Sequence, residues 1–483
     1  MSESLQAYLR RETRNFTSPL DEDAVFDLAT ALAGALAEAH ATDPPRFPGC
    51  DPERIERTDA GLRLDGRSAS AREDLLQLRA LVSSLLLGRP PHLSWRLDGP
   101  PDYAARSLFR RAALRAFADA PSGRELHQAL EGSSRPAVSA APPWPTFRGD
   151  GPRGGARPEA GTPAGLAPRW RAATGPVIAS PVCADSWVAA VTTAGRLLLF
   201  DAESGRLLDA ASLGAGSESS PALSGSLLLV GTEDGALLAF DVEAGTVRWR
   251  VNLGRLVRSS PLASDGRVFV GVIEDRGGAL AALDAHTGER LWRRSLGPVF
   301  ASPTLLEGAV AVGSDDGSLR AFDLDGAPLW SAELGGKVRS TAAFAPGALI
   351  VADYAGRVCA LDAGEGRLLW CQPVGSPVYA SPSVRGDRCL VGTHAGTVHA
   401  LDTANGSELF RLTAGGPIVG SAVAVGDAWL VPSTDGALHL VDRDGASVVA
   451  HSTGAPIQSS PALGPGRVYV ADDRSLSAFE LLS

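Results

Sequence analysis

The 483 residues carry 55 acidic against 45 basic side chains, a formal charge of -10, so the chain has no overall attraction for nucleic acid or an anionic membrane. Gly and Pro number 54 and 34, rich in turns but short of a low-complexity composition, and 44% hydrophobic residues suffice for a large core. No apolar run is long enough to span a membrane, and the opening MSESLQAYLRRETRNF has no apolar signal core, which leads to the expectation of a cytoplasmic protein with no membrane insertion.

Residues 1–134 read as helical. Ser18-Pro19 suits a cap followed by a first-turn proline, Ala24 to His40 is an Ala- and Leu-rich helix, and Arg72 to Leu87 and Tyr103 to Phe117 are amphipathic. Ser122 can cap a short helix from Gly123 to Leu130, and Pro52 to Gly66 reads as two short strands around Asp59-Ala60-Gly61. This order of elements resembles the C-terminal lobe of serine/threonine protein kinases. CDPERI (Cys50 to Ile55) stands where those enzymes carry L-K-P-E-N-I, Glu73 to Gly88 is similar to their S-D-L-Y-A-L-G-V-L-L-Y-E-L-L-T-G with Asp74 on its Asp, and Ala120 to Leu130 is similar to R-P-S-A-x-E-L-x-x-A-L. The chemistry that the resemblance would imply is absent: Gly49 stands at the general-base position, Arg54 at the magnesium-binding Asn, and the nucleotide-binding lobe has no counterpart. A degenerate, pseudokinase-like domain is expected.

Residues 135–167 read as a Pro/Gly-rich linker, extended and irregular, with Trp144 and Phe147 packing on the C-terminal part of the chain. In that part a period near forty residues runs to the last residues of the sequence. Its anchors are Ser180, Ser220, Ser260, Ser302, Thr341, Ser381, Ser421 and Ser460, spaced 40, 40, 42, 39, 40, 40 and 39 residues apart. In the second copy, Leu227 to Val230, Ala236 to Phe240 and Thr246 to Val251 read as consecutive strands, with Asp234-Gly235 as a tight turn, and the segment after Ser-Pro supplies a fourth. Four strands per repeat and eight repeats make residues 168–483 an eight-bladed β-propeller, so the fold class is mainly β with a small helical domain in front. The last repeat lacks its outer strand, which Pro168-Arg169-Trp170-Arg171 can supply from the other end of the array.

ALDAHTGERLW (Ala282 to Trp292) resembles the repeat of pyrroloquinoline-quinone-type propellers, and WPTFRGD (Trp144 to Asp150) is similar to the segment before their first blade. That resemblance implies the fold; as to function it spans quinoprotein dehydrogenases, outer-membrane assembly lipoproteins and non-enzymatic modules. The repeated Trp170, Trp249, Trp292, Trp330 and Trp370, with Phe410, read as packing residues between blades, and the seams where Asp209 and Ala450 replace the aromatic are expected to be looser.

Neither a metal nor a cofactor is expected. The chain has no vicinal Cys-Cys and no CxxC, and Cys50, Cys183, Cys359, Cys371 and Cys389 read as reduced thiols. The Asp-Gly pairs at 234, 316 and 435 read as turn formers. One position varies where its flanks hardly do: two residues before each anchor stand Ile178, Glu218, Arg258, Phe300, Arg339, Tyr379, Val419 and Gln458. Repeats keep what folds and vary what binds, so this ring at one mouth of the channel is the candidate partner-binding rim. Glu218, Arg258, Phe300, Arg339, Tyr379 and Gln458 carry it, with Arg258 and Arg339 offered to a partner's carboxylates. The expected function is that of a non-catalytic scaffold binding another protein; the alternative is a small-molecule sensor or quinoprotein-like oxidoreductase using the channel.

Overall fold

The computed structural model describes residues 144–157 and 161–482, and the backbone of three short strands before them. The chain forms two compact units, Met1–Pro136 with Glu243–Gly245, and Ala137–Val242 with Thr246–Ser483. In the first, Ile55–Thr58 and Gly61–Leu64 form the expected antiparallel hairpin, and Glu3–Ser4 adds a third strand. The helices and the kinase-like motifs read from the sequence lie outside the described residues.

The second unit is an eight-bladed β-propeller. Blade 2 runs from the inner strand Ala222–Ser224 through Leu227–Gly231 and Ala236–Asp241 to the outer strand Thr246–Asn252, each antiparallel to the last. The residue chemistry explains these positions. The second strand, LLLVG, is buried throughout and reads as an unbroken apolar run because both its faces meet neighbouring blades. The outer strand of blade 5, LLWCQP, alternates exposed and half-buried residues because only one face is covered. Between strands, Gly235 takes φ +83°, and a Cβ there would stand 1.9 Å from the carbonyl oxygen of Gly254, so the Asp-Gly turn requires glycine.

Two devices close the ring. Gly165–Ala173, starting three residues before the expected boundary, pairs with Ser475–Leu482 from Ala173 opposite Ser475 to Gly165 opposite Leu482, completing blade 8 with a strand from the other end of the array. The anchors form the second: each backbone N–H donates to the hydroxyl of the next, from Ser180 to Ser220 Oγ (2.8 Å) through to Ser460, whose N–H returns to Ser180 Oγ (2.9 Å). This collar satisfies one buried donor per blade.

At the seams, Trp249, Trp292, Trp330 and Trp370 each donate an indole N–H to a carbonyl of the next blade, at 3.1, 2.9, 3.1 and 2.9 Å, and Trp170 does the same from the closing strand. The looser packing expected beside Ala450 is corrected, because there the bulge of the outer strand shifts and His451 packs at a tilt against Phe479 of blade 8, ring centres 4.6 Å apart. Asp209 takes the aromatic position in blade 1 and is buried.

The linker is irregular along its described residues, but it is bound to the propeller and is not a free spacer. Residues 144–157 form a strap along the inner edges of successive blades. Trp144 pairs with Cys183, Pro145 O accepts from Leu223, Gly151 O from Leu305, Pro152 O from Phe344, Gly154 O from Val384 and Gly155 O from Ala424. The strap ends as Ala156–Arg157, parallel to the inner strand of blade 7. Trp144 is buried and Phe147 half-buried, as the composition suggested. The strap visits blades 1 to 7 and so closes one end of the channel. A further correction concerns the thiols: Cys359 and Cys371 face each other across adjacent strands of blade 5 and are joined in a disulfide, while Cys183 and Cys389 are buried away from it.

Candidate functional site

The open end of the channel is built by the segments that lead into the inner strands. In blades 4, 5 and 6 the residue before the variable position and the one after it are buried while the variable one is not: Val299, Val338 and Val378 are fully buried, whereas Phe300 and Arg339 are half-buried and Tyr379 is 38% exposed. Strand-like alternation therefore turns this position into the channel mouth in blade after blade, as the repeat irregularity suggested.

The structure adds a second ring, which sequence reasoning missed. Glu233, Asp315, Tyr354 and His394 occupy the turn after the second strand of their blades. Each donates its backbone N–H to the carbonyl two residues before the variable position of the same blade: to Gly216, Pro298, Lys337 and Pro377, at 2.8 to 3.0 Å. The signal was present, since this position varies in kind beside a neighbour that stays small and polar, Thr232, Ser314, Asp353 or Thr393.

The two rings make three sectors. In the ionic sector, Arg258 grips Glu233 of the preceding blade through Nε (2.9 Å) and Nη2 (2.8 Å) and stands 3.3 Å from Glu218. Arg339 holds Asp315 through Nε (2.8 Å) and Nη2 (2.7 Å), with Lys337, the single lysine, 3.8 Å from the same carboxylate. The guanidinium of Arg339 lies over Phe300 and over Tyr354, 4.0 and 4.8 Å from the ring centres. Hydrogen bonds from these arginines to the carboxylates hold both guanidiniums above their usual pKa. In the aromatic sector Tyr354, Tyr379 and His394 form a shelf with ring centres 4.5 and 5.1 Å apart, and burial pushes the Tyr354 phenol up to about 12. The third sector has uncharged variable residues, Val419, Gln458 and Ile178, with Thr434, Asp473 and Thr193 in the turns of the second ring.

The expectation for Arg258 and Arg339 is therefore corrected. They are not free guanidiniums facing outward: each is consumed by a bidentate pair within the ring, stitching one blade to the next. Phe300 is drawn into the same pair as its aromatic platform. Of the expected rim, Tyr379 is the one that most nearly presents a free surface, and His394 and Tyr354 extend it.

Channel, collar and mouth define an eight-bladed propeller of the pyrroloquinoline-quinone-like repeat class. The repeat family described as outer membrane protein assembly factor BamB matches residues 119–262, 193–315, 241–338, 315–453 and 394–483, and the chain belongs to this family. No curated protein matches the chain. Among solved structures, BamB from Moraxella catarrhalis is 20% identical, covering 65% of this chain and 99% of its own, with a TM-score of 0.57. A europium-containing methanol dehydrogenase is 13% identical over 69% of this chain and 90% of its own, TM-score 0.59. Quinohemoprotein alcohol dehydrogenase from Comamonas testosteroni is 15% identical over 72% and 81%, TM-score 0.60. At these identities the likeness is one of fold.

A metal-held quinone is a poor fit to these residues. It needs several oxygen donors free to converge on one cation, yet Glu233 and Asp315 are engaged by arginines, and no three His, Cys, Asp or Glu side chains converge as a metal site among the described residues. Likewise, no helix among the described residues is long and apolar enough to cross a membrane.

Proposed function

We propose that the protein is a non-catalytic scaffold that binds another protein at the open mouth of its propeller. One observation carries this: on a frame in which the anchors repeat in all eight blades and the seam aromatics and turn glycines in most, the two rings at the mouth change in kind from blade to blade. Their aromatic members, Tyr379 above all, form a contiguous, partly exposed patch of the residue types that dominate interface energetics. The poor fit to a metal-held quinone supports the non-catalytic reading, and residues 1–134, lacking the kinase base and metal residues, are read as inert toward ATP.

The test uses the full chain as bait in native extract, comparing wild type with a Tyr379→Ala, His394→Ala double variant. A partner retained by the wild type and weakened at least tenfold by the variant, at an unchanged melting midpoint, is the expected outcome. Equal retention would remove the mouth from the interface. Dye-linked alcohol oxidation after incubation with quinone and calcium, above a protein-free control, would replace the scaffold with an enzyme.

A further inference from the structure

Between the open mouth and the strap lies the collar of eight anchor hydroxyls, and its hydrogen-bond accounting is incomplete. Each hydroxyl oxygen accepts one backbone N–H, but none donates its own hydrogen to an acceptor among the described residues. A hydroxyl has one such hydrogen to give. All eight anchors keep a small exposure of 3–6%, whereas their predecessors Ser219, Ser259, Ser340 and Ser459 keep none. The collar therefore keeps a trace of solvent access, and its hydroxyls hold hydrogens that no described residue accepts.

Directly against the collar lie two buried cations. Arg148 is 1% exposed and Arg153 0%. Arg148 donates to the carbonyls of Arg153, Gly154, Pro382 and Ser381, the last a collar residue. Arg153 donates to Thr146 Oγ1 and to the carbonyls of Phe147, Pro261 and Pro303, the two prolines each following a collar residue. A guanidinium has five N–H groups, so each arginine keeps one without an acceptor among the described residues. Neither is hydrogen-bonded to a carboxylate. Asp150 is the acid whose field acts on both, and the neighbouring Cys389 thiol is pushed up to about 12 by burial and stays neutral. Two buried positive charges thus face at most one negative one, and buried charge demands a counter-charge.

We propose that the strap-closed channel is a binding site for a small oxyanion, of the size and chemistry of phosphate or a short carboxylate. The collar hydroxyls would coordinate it and the charge of Arg148 and Arg153 would hold it. The carbonyl cradles orient the guanidiniums but supply only partial charge; an anion against the collar completes the neutralisation and accepts from the hydroxyls nearest to it. The mouth admits it past Val419, Gln458 and Ile178, the variable residues that carry no charge and no aromatic ring. This site is separate from the aromatic shelf, so either can fail alone.

Titration calorimetry of the full-length protein with inorganic phosphate, in a zwitterionic buffer of low ionic strength, is expected to show saturable binding at one site per chain. Val419→Glu adds a negative charge at the mouth without touching collar or strap, and should weaken phosphate at least tenfold at an unchanged melting midpoint. Gln458→Arg should tighten it several-fold and serves if the first variant does not fold. Crystals soaked in bromide should give an anomalous peak inside the collar. Absence of saturable binding, indifference to either variant, or bromide found only outside the collar would each overturn the site.

Discussion

Two pairs of arginines mark the two ends of one channel, and they are held in opposite ways. Arg148 and Arg153, in the strap, are out of reach of water and bonded almost wholly to backbone carbonyls; burial lowers their pKa to about 10 and about 9, still far enough above neutral for both to remain charged. Arg258 and Arg339, at the mouth, are part-exposed and bonded to carboxylates, and those bonds raise their pKa. Carbonyl dipoles orient a cation without neutralising it, whereas a carboxylate does both. The closed end is therefore rigid and electrostatically unfinished, the open end neutralised and adjustable.

The comparison breaks most easily at the strap. Arg153→Met leaves four acceptors contributed by the strap and blades 3 and 4 without their donor, and the expected loss is about 3–5 kcal/mol, read as a lower denaturant midpoint or as insoluble protein. At the mouth, Arg339→Ala strips the partner from Asp315, but with water at hand the expected loss is about 1–2 kcal/mol. If the two variants lose equal stability, the distinction between the ends is wrong.

A smaller effect sharpens the mouth alone. Burial raises the Glu218 pKa despite Arg258, with Glu233 adding to the rise. A carboxylate raised in the folded state binds its proton more tightly there than in the unfolded chain, so stability falls as pH rises from the ordinary glutamate range through the raised value. Glu218→Gln should therefore gain on the wild type across that window and then run parallel to it, as read from melting midpoints at successive pH. A constant offset would mean that Glu218 titrates normally. The smallest expected effect concerns Cys359 and Cys371: thiol counting on the denatured protein, alkylated without reductant, should find this pair joined, and two further free thiols at these positions would overturn the disulfide.

Much of the site was legible because the repeat is a control built into the sequence. Comparing Glu218, Arg258, Phe300, Arg339 and Tyr379 across copies isolates a position that the frame does not fix, and the mouth is where they lie. Glu233, Asp315, Tyr354 and His394 vary in the same manner, but in a turn, where polar variation looks like ordinary solvent exposure; only the hydrogen bonds that draw each turn toward the variable position give it meaning. The strap had no such control. It occurs once, and Trp144-Pro145 and Gly154-Gly155 look locally like any linker.

Spacing, turn chemistry and strand periodicity, all local properties, determined the eight blades, the seam aromatics and the strand that completes the last sheet. Which charges meet could not be read in the same way. The bond from Arg148 to the Ser381 carbonyl joins residues 233 positions apart, and that from Ser460 to Ser180 joins residues 280 apart. Such partners are chosen by the closure of the ring, which brings eight inner edges around one axis. Only that closure turned a proline- and glycine-rich segment into the floor of a channel, and two outward-reading arginines into clamps between blades.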